Sequence, residues 1–233
     1  MFGLNVQSNS GHTNIDSDWF NLELRYKVIN AVPSYYSGGA SYYAFSSTIT
    51  TRRPPNVFIR MENSIRLFIN KYLVVGKPNA WIGFYVITGE YRAGKNFPHF
   101  YPIGYPTARL SYIVATFPTK HNDPFGLEIY NDKQQIVMSS GGNLIKLIGQ
   151  TENFKAEGRM AHNWLWYSVP RNPTSFTLMQ GVGAIERSRN IDIFLGLGHI
   201  LTETKLWMMV STLHSGGPWY GYNPFLIVYA EDT

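Results

Sequence analysis

Asn21-Leu22-Glu23-Leu24-Arg25-Tyr26-Lys27-Val28 alternates polar and apolar side chains without a break. Leu22, Leu24, Tyr26 and Val28 fall on one side and Asn21, Glu23, Arg25 and Lys27 on the other. This is the period of two that a strand needs when one face is buried and the other meets water. It predicts an all-β chain, because the same reading extends outward while helical spacing is convincing nowhere. Segments 57–60, 64–72, 81–87 and 109–117 read as strands, as do 164–169, 175–178, 191–195, 205–213 and 225–230. Turn formers such as Glu62-Asn63 and Gly76-Lys77-Pro78-Asn79 separate them. Short strands at this spacing argue for β-sandwiches rather than a βαβ sheet.

A second pattern overlies the first. Phe2-Gly3-Leu4-Asn5-Val6 returns as Phe125-Gly126-Leu127-Glu128-Ile129, and at the same offset, without a gap, Ser17 meets Ser140 and Leu24 meets Leu147. Val6 meets Ile129, Ile15 meets Met138 and Leu22 meets Ile145. Each copy reads as strand, polar turn, strand, small polar turn, strand. The expectation is two β-sandwich-like domains related by a degenerate internal repeat, spanning 1–120 and 121–233. The polar connector 118–124 forms the boundary, and a chain of 233 residues is comfortable for two domains.

Composition excludes several classes. A hydrophobic share of 44% against 15% charged residues rules out a disordered chain, since apolar surface is available to offset the entropy of ordering. With no cysteine there is neither a disulfide framework nor a thiolate metal site. No basic segment leads into an apolar run at Met1, and no run of apolar residues is long enough for a membrane span. A soluble protein made in the cytoplasm, with no membrane partner, is expected. The net charge of +5 is scattered, Arg52-Arg53 being the one basic pair, which reads as a solvated surface rather than a nucleic-acid site.

The motifs of catalysis are missing. Gly181-Val182-Gly183-Ala184-Ile185-Glu186 and Gly196-Leu197-Gly198-His199 lack the third glycine and the strand-to-helix setting that a pyrophosphate requires, so they read as turns or bulges. No Gly-x-Ser-x-Gly elbow occurs. His12, His99, His121, His162, His199 and His214 never fall at the spacing of two imidazoles on one metal. Asp16-Ser17-Asp18 reads as a turn bonding its own backbone. No enzyme, cofactor or metal is expected. Aromatics are 15% of the chain and gather in three places that read as loops. Tyr35, Tyr36, Tyr42 and Tyr43 lie in the Gly/Ser-rich stretch 33–55, and His99, Phe100 and Tyr101 in the proline-rich stretch 89–106. Trp219, Tyr220 and Tyr222 follow Gly216-Gly217-Pro218. Rigid amphipathic rings on adaptable loops either meet a ligand or pack at a subunit interface, which points to contacts rather than chemistry.

The string Phe2-Gly3-Leu4-Asn5-Val6, then Gly11, then Ile15-Asp16-Ser17-Asp18 resembles the Tyr/Phe-Gly-Leu-x-Val-x-Asn, Gly, Phe-Asp-Ser pattern of small tail-associated proteins of tailed bacteriophages. Phe125-Gly126-Leu127-Glu128-Ile129-Tyr130-Asn131 resembles it too, with Gln134 in place of the turn glycine and Met138-Ser139-Ser140 in place of Phe-Asp-Ser. The resemblance covers about twenty residues per copy. It implies a virion structural protein near the tail tip or tail fibres, all β, docked on other tail proteins and assembled as a homo-oligomer in a ring or trimer, with its aromatic loops toward neighbours or the host. The alternative reading is a carbohydrate-binding or receptor-binding β-sandwich that takes a host surface glycan.

Overall fold

The computed structural model describes residues 3–8, 11–16, 21–37, 40–61, 67–93, 98–101, 109–121, 126–145, 147–151, 155–160, 164–170, 175–178, 187–188, 191–192, 196–199, 205–211 and 227–230. The strands in chain order are β1 (Gly3–Ser8), β2 (Gly11–Asp16), β3 (Glu23–Ala31), β4 (Tyr35–Ser37), β5 (Ala40–Ile49), β6 (Asn56–Met61) and β7 (Leu67–Lys77). Then come β8 (Ala80–Ala93), β9 (Pro98–Tyr101), β10 (Leu110–Thr116), β11 (Glu128–Tyr130), β12 (Ile136–Ser139), β13 (Leu147–Thr151) and β14 (Lys155–Met160). The last are β15 (Trp164–Pro170), β16 (Phe176–Leu178), β17 (Arg187–Ser188), β18 (Ile191–Asp192), β19 (Gly196–His199), β20 (Lys205–Ser211) and β21 (Ile227–Ala230). Among the described residues there is no helix; most lie in antiparallel strands, consistent with the all-β fold that the alternation predicts.

Two antiparallel sheets carry most strands. One has the order β13-β21-β16-β6-β10-β3, and the other β14-β15-β20-β19-β7-β8-β5-β4 with β9 on β8. They face each other across a layer of rings. Tyr26 of β3 and Tyr112 of β10 meet Tyr43 and Phe45 of β5 and Phe84 of β8. The Phe84 ring stacks on Tyr43 at 5.2 Å and takes the edge of Tyr112 at 5.1 Å, the two geometries that the ring quadrupole favours. The opposite face of the first sheet is also covered. Phe58, Ile113, Ala115, Ile145 and Phe176 form a second core there, with Leu22 and Leu24 against it. Every residue of β10 is therefore buried, which explains its near-continuous apolar run.

The second motif copy folds as a self-closed hairpin. β11 pairs β12, and the Asn131 carboxamide oxygen accepts the amide protons of Lys133 and Gln135, closing the turn. Gln134, where the motif has glycine, holds φ at 58°, the left-handed region that glycine enters without strain. Ser140 Oγ accepts the Leu127 amide proton. The first copy also pairs as a hairpin, β1 on β2, but in another register: Leu4 faces Ile15, whereas Met138, the counterpart of Ile15, faces Ile129, two residues past Leu127. The shift is two at this pair, and a bulge between Ile129 and Tyr130 changes it toward the turn. The second hairpin then leads into a segment that docks on β3, with Asn21 donating to Val137 O, Leu24 to Asn143 O and Ile145 to Leu22 O. This covers the part of β3 that would otherwise be an open sheet edge.

Several expectations need correction. The stretch 33–55 is not one long loop: β4 and β5 occupy most of it, because Ser41, Tyr43 and Phe45 alternate inward onto β8. The loop expected over 89–106 contains the end of β8 and all of β9, which pairs β8 and, among the described strands, only β8, as suits an edge that begins with Pro98. Gly196-Leu197-Gly198-His199 is not a turn but β19, hydrogen-bonded on both sides, to β20 and β7. Glu23, on the polar side of the alternation, is not wetted but 1% exposed, since Thr119, His121, Gly142 and Leu144 close over it. The two-domain repeat is not confirmed. Both large sheets join strands from the two sides of residue 120, β6 pairing β16 and β7 pairing β19.

Candidate functional site

The aromatic candidates separate once placed. Tyr43 is a core residue: it lies within the ring layer, and burial followed by the neighbouring Tyr112 pushes its phenol well above the usual range. Tyr42, one residue earlier, points to the other face of the sheet, where its ring meets Tyr85 at 4.9 Å. Tyr42 pairs Tyr85 and Tyr85 pairs Leu73, so three strands present one cross-strand row on the outer face of the larger sheet. Leu73 is 54% exposed. Tyr35 and Tyr36 belong to β4, paired with Tyr42 and Ser41, while His99, Phe100 and Tyr101 belong to β9. Trp219, Tyr220 and Tyr222 lie outside the described residues.

Gly83 sets the position of Tyr42. A Cβ on Gly83 would stand 2.5 Å from the Tyr42 hydroxyl oxygen and 2.5 Å from the Tyr43 carbonyl oxygen, so only glycine leaves room for the ring to lie across β8. The Tyr42 hydroxyl donates to Ile82 O at 3.0 Å. Burial, and then Tyr85, raises its pKa. The row is thus a largely apolar outer surface in which the Tyr42 hydroxyl has its partner.

A groove of about 1160 Å³ opens elsewhere, where five separated segments converge. Its walls come from β3, the β5–β6 connection, the β7–β8 turn, the stretch after β10 and the start of β12 in the motif hairpin. Arg25, Arg52 and Arg53 line it together with the hydroxyl side chains of Ser47, Thr48, Thr50, Thr51, Thr116 and Thr119. Among the described residues no carboxylate does. The wall is tied down by the Thr51 carbonyl, which accepts from Asn79 N at 2.9 Å and from Trp81 Nε1 at 2.8 Å. That joins the Arg52-Arg53 loop to a hairpin turn in which Lys77 pairs Ala80 around Pro78 and Asn79, the latter at φ 66°. Arg53 lies over the Phe117 ring, its Cζ 5.1 Å from the centroid.

Behind the groove Glu23 forms a buried node. Its Oε1 accepts the Thr119 amide proton at 3.3 Å and lies 3.1 Å from His121 Nε2, and its Oε2 lies 3.2 Å from Arg25 Nη2. Arg25 also donates to Thr116 Oγ1 at 2.7 Å and to Thr119 Oγ1 at 3.0 Å. A Cβ on Gly142 would collide with the carboxylate at 2.7 Å, so the glycine turn after β12 admits Glu23. Arg25 is balanced and held by Glu23, which leaves Arg52 and Arg53 as the uncompensated charge of the groove. Among the described residues no three His, Asp or Glu side chains gather as a metal site.

Sequence reasoning singled out Arg52-Arg53 as a basic pair but did not see the groove, whose walls are far apart in the chain. It missed Tyr85, which occupies the strand read at 81–87, and Leu73, which lies one residue past the strand read at 64–72 and belongs to β7. Their signal was present in register: each falls on the face opposite Phe84 and Tyr72. No protein-family model, curated protein or solved structure matches this chain.

Proposed function

We propose that the protein is a structural and interaction component of a bacteriophage particle, at the tail tip or the tail-fibre attachment region, with a non-catalytic role. One observation carries the reading. The motif that resembles small tail-associated proteins folds as one hairpin whose turn and mouth are closed from within by Asn131 and by the Leu127–Ser140 bond, while Val137 ties it to Asn21. A module closed by its own side chains keeps its shape on different bodies, as a docking element must. The outer row of Tyr42, Tyr85 and Leu73 supplies an apolar surface for neighbouring subunits, in keeping with a homo-oligomer that contacts other tail proteins.

The test is location. Peptides of this chain should be found by mass spectrometry in gradient-purified particles, and antibodies against the purified protein should label one end of the tail. Absence from particles while the protein is abundant in the infected-cell lysate overturns the reading. A second reading, a receptor- or carbohydrate-binding β-sandwich, is favoured specifically by the hydroxyl-lined arginine groove.

A further inference from the structure

We propose that the groove between the β5–β6 connection and the motif hairpin binds an anionic saccharide, a sugar chain carrying carboxylate or phosphate groups. The inference goes beyond a place in the particle and concerns what this face of the protein recognises.

Charge gives the sign of the ligand. Of the three arginines lining the groove, Arg25 is neutralised by Glu23, whereas Arg52 and Arg53 are exposed and have no carboxylate partner among the described residues. Guanidinium forks bind planar carboxylates and phosphates through paired hydrogen bonds. The rest of the lining gives the chemical class. Ser47, Thr48 and Thr50 are exposed, and their hydroxyls both donate and accept, matching the hydroxyls of a sugar ring. Nucleic acid fits less well, because single-stranded recognition stacks bases on open aromatic faces and Arg53 lies over the Phe117 ring of this groove.

Size and rigidity complete the argument. A volume of about 1160 Å³ exceeds the roughly 300–1000 Å³ of ordinary small-molecule pockets, so it holds more than one sugar unit. The Thr51 carbonyl, clamped by Asn79 and Trp81, fixes the loop that carries both arginines before any ligand arrives. Preorganisation of this kind lowers the entropic penalty of binding.

The full-length chain is titrated calorimetrically at low salt with hexagalacturonate, with a phosphorylated oligomannose, with neutral maltohexaose and with a single-stranded oligonucleotide of equal charge. Saturable binding of either anionic sugar, absent for maltohexaose, supports the proposal, and the tighter of the two identifies the acid group. The R52A/R53A variant should lose about tenfold or more in affinity, as expected when hydrogen bonds to a charged group are removed. The R53K variant, which keeps the charge but loses the fork, should fall between the wild type and R52A/R53A, and affinity of the wild type should fall with added salt. Binding of maltohexaose as tight as that of hexagalacturonate, tighter binding of the oligonucleotide, or no binding of any anion overturns the proposal. None of these outcomes bears on whether the protein is in the particle, so the two readings fail separately.

Discussion

The Leu127 amide donates to the Ser140 hydroxyl at 2.7 Å, and Gly126 lies so close that a Cβ there would stand 3.0 Å from the same oxygen. Glycine, leucine and serine of the repeated motif are therefore parts of one contact. Ser140→Ala should destabilise the protein by about 1 kcal/mol, the usual worth of such a bond, as measured by denaturant midpoint. Gln134→Gly, at the left-handed turn position, should stabilise it by about 0.5–1 kcal/mol. A loss of stability in the glycine variant would show that the Gln134 side chain, not its backbone, matters.

Gly83→Ala should be destabilising by roughly 1–3 kcal/mol, because the added methyl meets the Tyr43 carbonyl as well as the Tyr42 ring. The Tyr42 phenol should also lose its bond to Ile82 O and titrate closer to an ordinary tyrosine. Unchanged stability and an unchanged Tyr42 signal by NMR would contradict the packing described for the outer face.

Removal of the Glu23 carboxylate leaves Arg25 and His121 facing a void. Glu23→Ala should cost about 3 kcal/mol, in line with breaking a buried ion pair by deleting one partner, and Glu23→Gln should cost less because it still accepts from Thr119. Equal, near-zero effects for both substitutions would mean that the node contributes nothing to holding Thr119 and His121 against β3.

Alkaline pH attacks the ring layer. Burial raises the phenols of Tyr26, Tyr43 and Tyr72, and Tyr112 is pushed up to about 12. Unfolded tyrosines titrate near about 10. Since the folded-state values are the higher ones, the neutral rings' contribution is complete below about pH 10 and is lost as pH rises toward 12. Denaturant midpoints across this range should fall steadily, with tyrosinate absorbance from the core appearing only as the protein unfolds. Early, non-cooperative ionisation of these rings would exclude a dry interface between the sheets.

Legibility in the sequence followed locality. β3, β6, β10 and β16 were readable because alternation or an apolar run declares a strand wherever it packs. β4 and β5 were not, because serines and tyrosines occur on both faces: buried Ser41 and buried Tyr43 flank outward Tyr42, and no polarity pattern separates them. Glu23 could not be read as buried, since what buries it lies at Thr119, His121 and Gly142. Arg52-Arg53 was visible as a pair, but its partners in the groove come from segments that only the fold assembles.

The position of β21 has a consequence for how the chain acquires its structure. Ile227–Ala230 lies between β13 and β16, inside the first sheet rather than at its edge, and β16 in turn pairs β6. The ladder from Leu147 to Ala31 is continuous only when residue 230 has left the ribosome. Until then β13 and β16 each lack a neighbour, leaving unpaired edges exposed in a nascent chain with few local contacts to hold it. Refolding should accordingly be slow and cooperative, and release of an incomplete polypeptide should yield aggregate rather than a folded N-terminal half.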